Sequence, residues 1–271
     1  MPFPQRPGKH REPSLFTPRD FHRYLRQRGR DVSPVPARQV VVFSRALFGG
    51  LRRELEGSKA RFAGNEGSFT VGRGSRTVRV SLCPVGAPAL AIHVEEMVDR
   101  GARRIVSVGY AGALSPRLAP GESVLCSRAL RDEGTSYHYA RTARFARPPG
   151  SLTRELARGL RVRGLALRSG PSWTVDAIYR ETRREARSYA QEGILTVEME
   201  ASALFAVARY RGIEAAAVFT VSDHLYPRWR PSFHLAEKPI LSLAEAVIEV
   251  LPDCGAGVRS RTPAGERTAR S

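Results

Sequence analysis

The chain has 271 residues, 42% hydrophobic and 26% charged, a globular composition long enough to bury a large core. Its 44 Lys and Arg against 26 Asp and Glu give a formal charge of +18; only Lys9, Lys59 and Lys238 are lysines, leaving 41 arginines. The surplus is spread along the chain rather than gathered on one element, so nucleic-acid binding is not the expected function. No run approaches the roughly 18 apolar residues of a membrane-spanning helix, and the polar, proline-rich stretch from Met1 to Arg30 lacks the apolar core of a secretory signal. Cys83, Cys126 and Cys254 have neither paired nor CxxC spacing. Neither a disulfide scaffold nor a cysteine zinc site is expected, and a reducing cytoplasm fits.

In chain order, residues 1–36 are read as a basic arm rich in proline, with one short helix over Pro18 to Arg28. Gln39 to Phe43 is a β-branched run that predicts a buried strand, and Leu47 to Leu55 a short helix. Ser68 to Val71 and Thr77 to Leu82 alternate around Gly72-Arg73-Gly74-Ser75, a hairpin signal. Pro88 opens a helix in which Leu90, Val94, Met97 and Val98 share a face, and Gly101 closes it. Strands are predicted over Ile105 to Val108, Ser123 to Cys126, Leu165 to Leu167, Ile194 to Val197 and Ala215 to Val221. Helices are predicted over Leu152 to Val162, Arg180 to Gln191, Glu200 to Tyr210 and Leu241 to Leu251. This alternation predicts an α/β fold with a mostly parallel sheet, to which the hairpin adds antiparallel edges. Residues 37–252 form the expected catalytic domain, and the Gly-, Ser-, Pro- and Arg-rich residues 253–271 a disordered basic tail.

Ligands of open α/β sheets bind at the carboxyl ends of strands. Three clusters fall there: Gly109-Tyr110-Ala111-Gly112-Ala113, Val197-Glu198-Met199-Glu200-Ala201, and Thr220-Val221-Ser222-Asp223-His224. A carboxylate at a strand end accepts the two hydroxyls of a ribose diol, and a methionine supplies a soft wall beside it. The same glutamates also suit a helix N-terminus. An aspartate in a closed cleft can protonate a leaving group, although Ser222 or Asp223 equally suits a helix cap.

Taken together, VEMEASALFAVA (197–208) and VSDH (221–224), with GAPALAIHVEEMVDRGARRIVSVGYAGAL (86–114) and GESVLCSRALRDEGTSYHYA (121–140), resemble the nucleoside phosphorylase and nucleosidase superfamily, in its purine and uridine phosphorylase branch. The similarity runs from about Gln39 to Leu251. It implies a single α/β domain with a mixed, partly barrel-like central sheet flanked by helices, assembled as a dimer-based homo-oligomer, often a hexamer. It implies cleavage of a nucleoside's N-glycosidic bond with no metal or organic cofactor, inorganic phosphate serving as co-substrate. By the same resemblance Glu200 holds the ribose hydroxyls with Met199 beside it and Glu198 adjacent. Asp223 protonates a purine base at N7, which favours a purine over uridine.

The loop after the first strand lacks the family's GDP-x-x-R-like pattern and reads Phe43-Ser44-Arg45-Ala46-Leu47-Phe48-Gly49-Gly50. Ser107 stands where the family has an arginine, and Tyr110 where it has Ser or Thr. Arg45, Gly109, Tyr110 and Arg131 are therefore the candidate phosphate ligands. Water remains the alternative acceptor, and a non-catalytic nucleoside binder a third reading, although residues 43–50 hold no Asp or Glu to activate water. Candidate base contacts are Trp173, Asp176, Tyr179, Arg180 and Ser222, with core aromatics and an exposed helix start at Arg180-Glu181 as the alternative. His10 or His22 is weighed as a counterpart of the family's partner-subunit histidine.

Overall fold

In the computed structural model, which describes residues 8–56, 62–65, 67–141 and 143–255, local chemistry sets most element boundaries. Thr17 caps α1 (Pro18–Gln27) through a capping box with Asp20. The β-branched run forms β1 (Arg38–Val42). The Ser44 hydroxyl accepts the Leu47 amide at 3.2 Å and starts α2 (Arg45–Glu56). Strands β2 (Phe62–Asn65), β3 (Ser68–Val71) and β4 (Val78–Leu82) follow. Pro88 sits in the first turn of α3 (Ala87–Asp99). Next come β5 (Arg104–Ala113), β6 (Ser123–Asp132), β7 (Phe145–Ala146), α4 (Leu152–Val162) and β8 (Leu167–Val175). The chain continues through α5 (Arg183–Gln191), β9 (Thr196–Glu198), α6 (Ala201–Tyr210), β10 (Glu214–His224), β11 (Arg230–Pro231) and α7 (Phe233–Val250).

The strands make one sheet in the order β11-β10-β6-β8-β9-β5-β1-β4-β3-β2, and β10 also pairs with β5. That extra ladder closes β5, β10, β6, β8 and β9 into a five-stranded barrel, with β1 to β4 continuing outward from β5. The sheet is mixed rather than mostly parallel. Ladders β1–β4, β1–β5, β5–β10, β6–β8 and β8–β9 are parallel, whereas β5–β9 and β6–β10 are antiparallel.

One apolar layer packs α3 and α6 against the sheet through Leu90, Val94, Leu204 and Phe205. A second packs α2, α4 and α7 on the other side through Leu51, Leu156, Leu160 and Leu243. The described part of the N-terminal stretch lies on the body. His22 is buried and its Nδ1 is 2.6 Å from Asp99 at the end of α3, and the Val35 amide donates to the Arg100 carbonyl. The predicted disordered tail falls mostly on residues outside those described.

Several strands run longer than their apolar cores. β5 continues through GYAGA, which glycine content marks as a loop; the glycines sit there because neighbours come too close for a side chain. β8 starts at Leu167 and runs through Gly170 and Pro171 to Val175, so the base-contact candidate Trp173 lies within a strand, while Asp176, Tyr179 and Arg180 follow it. Helix α7 begins eight residues before Leu241 and carries Pro239 inside it.

Gly159 lies within α4, where glycine weakens a helix. It is required by α7, because a Cβ at Gly159 would collide with Val250 Cγ1. Gly159→Ala should therefore lower stability by about 1–3 kcal/mol despite its better helix propensity. Urea denaturation would show a lower midpoint with an unchanged slope.

Candidate functional site

The register brings the three clusters together. Gly112 of β5 pairs with Val197 of β9 on one side and with Asp223 of β10 on the other. A β-bulge between Val221 and Asp223 re-aims the β10 end at this point. The approach is tight: a Cβ on Gly112 would stand 3.1 Å from Val197 Cγ1 and 3.2 Å from Asp223 Oδ2, so either neighbour would have to give by a few tenths of an ångström. The β1–β5 ladder ends at Val42 and Val108, and the β5–β9 ladder covers only Gly112 and Ala113. Residues 109–111 therefore have no strand partner on that side. This gap in the ladders lies between the end of β1 and the β9–α6 junction.

At that junction the two glutamates divide their tasks. Glu198 Oε2 accepts the Glu200 and Ala201 amides at 2.8 and 2.7 Å, and its Oε1 accepts the Thr174 hydroxyl at 2.6 Å. Both oxygens are committed to starting α6 and tying it to β8. The expected ribose contact at Glu198 is thus replaced by the helix-start alternative. Glu200 reaches the other way, and its Oε1 accepts the Gly86 amide at 2.6 Å from the start of α3. Burial raises both carboxyls. The three donors on Glu198 favour its charge, so the proton resides on Glu200, pushed up to about 8 by burial and by the neighbouring Glu198. Met199 is half-buried between them.

Asp223 is buried. Its Oδ1 accepts the Ser222 hydroxyl at 2.7 Å, and its Oδ2 accepts the indole N–H of Trp229 at 3.0 Å. Glu181, half-buried after β8, is close enough to feel this charge. Burial, then Asp223, then Glu185 push its carboxyl up to about 7. Neither Trp229 nor Glu181 was singled out as a site residue in the sequence. The signal for Trp229 was present: an aromatic in the proline-flanked segment directly after VSDH.

The remaining candidates scatter. Arg45 is the exposed first residue of α2, just past the end of β1. Gly109 is covered by Phe43, whose Cδ2 would stand 3.2 Å from a Cβ there. Tyr110 packs edge-on against Phe233 of α7 at 6.2 Å. Arg131 is only 5% exposed. It donates to Ser136 Oγ and to the Arg141 and Ala143 carbonyls and lies over the Tyr137 ring. It staples its own loop, and its Nη2 is buried with no hydrogen-bond partner. Trp173 is fully buried, with its N–H on Asp132 and its ring against Tyr189, so it is a core aromatic and not a surface for stacking. Asp176 accepts the Gly134 amide and ties two loops. Tyr179 is 95% exposed, so it is not the core aromatic of the alternative reading, and Arg180 is also exposed. His22 is committed to Asp99 of its own subunit, and His10 lies in a short 3-10 turn ahead of α1. Among the described residues, no cluster of His, Cys, Asp and Glu suits a metal ion, and no helix is long and apolar enough to cross a membrane.

The raised Glu200 carboxyl predicts a pH dependence of stability. Unfolded, the group loses its proton near 4.5; folded, it keeps it to about 8. Between these values the folded state binds more protons, so stability falls as pH rises. Urea midpoints should drop from pH 5 to pH 8 by the equivalent of a few kcal/mol. Glu200→Gln should remove part of that drop, leaving the contributions of Glu198 and Glu181 in the same direction.

Comparison with known proteins identifies the family. Residues 40–247 match the family model of the phosphorylase superfamily. A guanosine phosphorylase of Halorubrum lacusprofundi is 32% identical over 141 residues, a stretch that spans 52% of this chain and 58% of that relative. A DeoD-type purine nucleoside phosphorylase of Bacillus cereus is 28% identical over 165 residues, covering 58% of this chain and 68% of the relative. Among solved structures, uridine phosphorylase from Vibrio fischeri ES114 superposes with a TM-score of 0.68 at 25% identity, over 82% of this chain and 93% of that one. Purine nucleoside phosphorylase from Toxoplasma gondii superposes with a TM-score of 0.69 at 18% identity, over 81% and 92%. With its five-stranded barrel, its glutamate pair at the β9–α6 junction and its aspartate at the end of β10, this chain belongs to the phosphorylase superfamily.

Proposed function

We propose that the protein cleaves the N-glycosidic bond of a purine nucleoside with inorganic phosphate as acceptor, releasing free base and ribose 1-phosphate. The observation that carries this reading is the row Val197–Gly112–Asp223. It holds a candidate proton donor beside the glutamate junction that would hold the sugar. The guanosine and purine nucleoside phosphorylase relatives support the same substrate class.

In this account the bond between C1′ and the base nitrogen breaks and its electrons pass to the base. Asp223 delivers a proton to N7, so the base leaves neutral. Glu200 engages the ribose hydroxyls with Met199 beside them. A phosphate oxygen attacks C1′ and completes the exchange. The acceptor end is assigned to the rim beyond β1, where Arg45 is exposed at the start of α2. Ser107 supports this placement. Its hydroxyl is buried on β5 with no hydrogen-bond partner, the kind of orphan that a bound oxyanion would satisfy. Gly109 and Tyr110 are neighbours of that rim rather than an open phosphate cradle. Neither metal nor organic cofactor enters the scheme, a dimer-based oligomer is part of it, and a cytoplasmic location fits it.

The test is base release from guanosine, inosine, adenosine and uridine with and without phosphate. Release of purine base only when phosphate is present, with ribose 1-phosphate as co-product, is expected. Release without phosphate and formation of free ribose would favour the nucleosidase alternative. Asp223→Asn should lower kcat for purine nucleosides by about 10²–10⁴-fold with little change in KM, measured by initial rates at saturating phosphate.

A further inference from the structure

We propose that Trp229 is the positioning residue for the proton donor, fixing which oxygen of Asp223 faces the base. The inference rests on the purine phosphorolysis described above.

Trp229 is held in place from both sides. After β10 the chain turns and returns as β11, so that Asp223 pairs with Pro231 and His224 with Arg230. The Ser232 amide donates to the Ser222 carbonyl at 3.0 Å, and the Leu225 amide to the Ala113 carbonyl at 2.9 Å. These bonds anchor the hairpin on the residues flanking Asp223. At its tip the indole points its N–H inward to Oδ2 at 3.0 Å while the side chain as a whole stays 58% exposed. A tryptophan left this open in a loop is ordinarily a poor use of apolar surface. Here its one polar atom is spent on the buried carboxyl.

The two donors on Asp223 are not equivalent. Indole N–H can only donate, so Oδ2 must present a lone pair to it. The Ser222 hydroxyl, 2.7 Å from Oδ1 and 3.4 Å from the Ala111 carbonyl, can donate to Oδ1 or turn and accept from it. Trp229 thus reserves Oδ2 as acceptor and leaves Oδ1 to carry the proton. When that proton passes to N7 and the glycosidic electrons move onto the base, the carboxylate left behind retains both donors. Trp229 is also neutral, so it orients the carboxyl without adding a charge to a site that already holds Glu181.

The test compares guanosine with 7-methylguanosine, whose N7 already carries a methyl group and whose base leaves without being protonated there. The wild type should cleave both. Trp229→Phe keeps a ring but loses the N–H, and it should lower kcat for guanosine roughly 10- to 100-fold. KM for guanosine and the rate with 7-methylguanosine should stay within about twofold. Trp229→Tyr, which restores a donor, should recover part of the guanosine rate, and it serves in place of the Phe variant if that one loses its native melting transition. Equal loss on both nucleosides, or no loss on either, would overturn the assignment of Trp229 while leaving the proposed activity intact. A wild type that releases base from neither nucleoside would overturn the activity itself.

Discussion

The contact on which the site depends is the lateral approach of three strands at Gly112. Closing the barrel through the β5–β10 ladder forces β5 to serve β9 and β10 at the same level, where a glycine leaves Val197 and the Asp223 carboxylate room that a Cβ would crowd. The β10 bulge turns Asp223 toward that point instead of toward solvent. Because β1 stops short of this level, the edge of β5 facing it has no strand partner. The Gly86–Glu200 hydrogen bond then joins α3 to the β9–α6 junction, so Glu200 and Asp223 are both positioned from the same sheet.

Arginine plays an unexpected part in this arrangement. The chain carries +18, yet the buried groups around the reaction centre are carboxyls held by amides, hydroxyls and an indole. Burial and Glu198 set the Glu200 proton, with no cation among the causes. The arginines are occupied elsewhere. Arg131 clasps its own loop, Arg104 and Arg211 pair with Glu214 and Glu95, and Arg100 holds the Ser33 carbonyl. These arginines therefore serve loop stapling and ion pairing, while Arg45 stays exposed just past the end of β1.

Most of the fold was legible where a strand or helix is apolar on a regular period, as in β1, α3, α4 and α6. It was least legible where tertiary contact overrides local propensity. The glycines of β5 mark a loop by composition but are strand residues, because Phe43, Val197 and Asp223 occupy the space their side chains would need. Pro171 and Gly170 hid the middle of β8, and Pro239 hid the first half of α7. In the site, Glu200 and Asp223 stood out because their motifs carry ordered spacing. Which glutamate of the pair caps α6 depends on side-chain direction, which spacing does not specify. Arg131 and Trp173 looked available by residue type and are buried by neighbours distant in sequence. Trp229 was hidden because its partner lies across a hairpin with almost no strand-like sequence.

The central claim is that one crevice holds the sugar at Glu200 and the base at Asp223, with phosphate at the β1 rim. The most direct measurement is a crystal structure of the protein soaked with a purine nucleoside analogue that resists cleavage, together with phosphate. The account predicts ribose hydroxyls on Glu200, N7 within hydrogen-bond reach of Asp223 Oδ1, and phosphate below C1′ beside Ser107 and Arg45. A nucleoside bound with its base away from Asp223, or phosphate on the opposite side of β5, would contradict it.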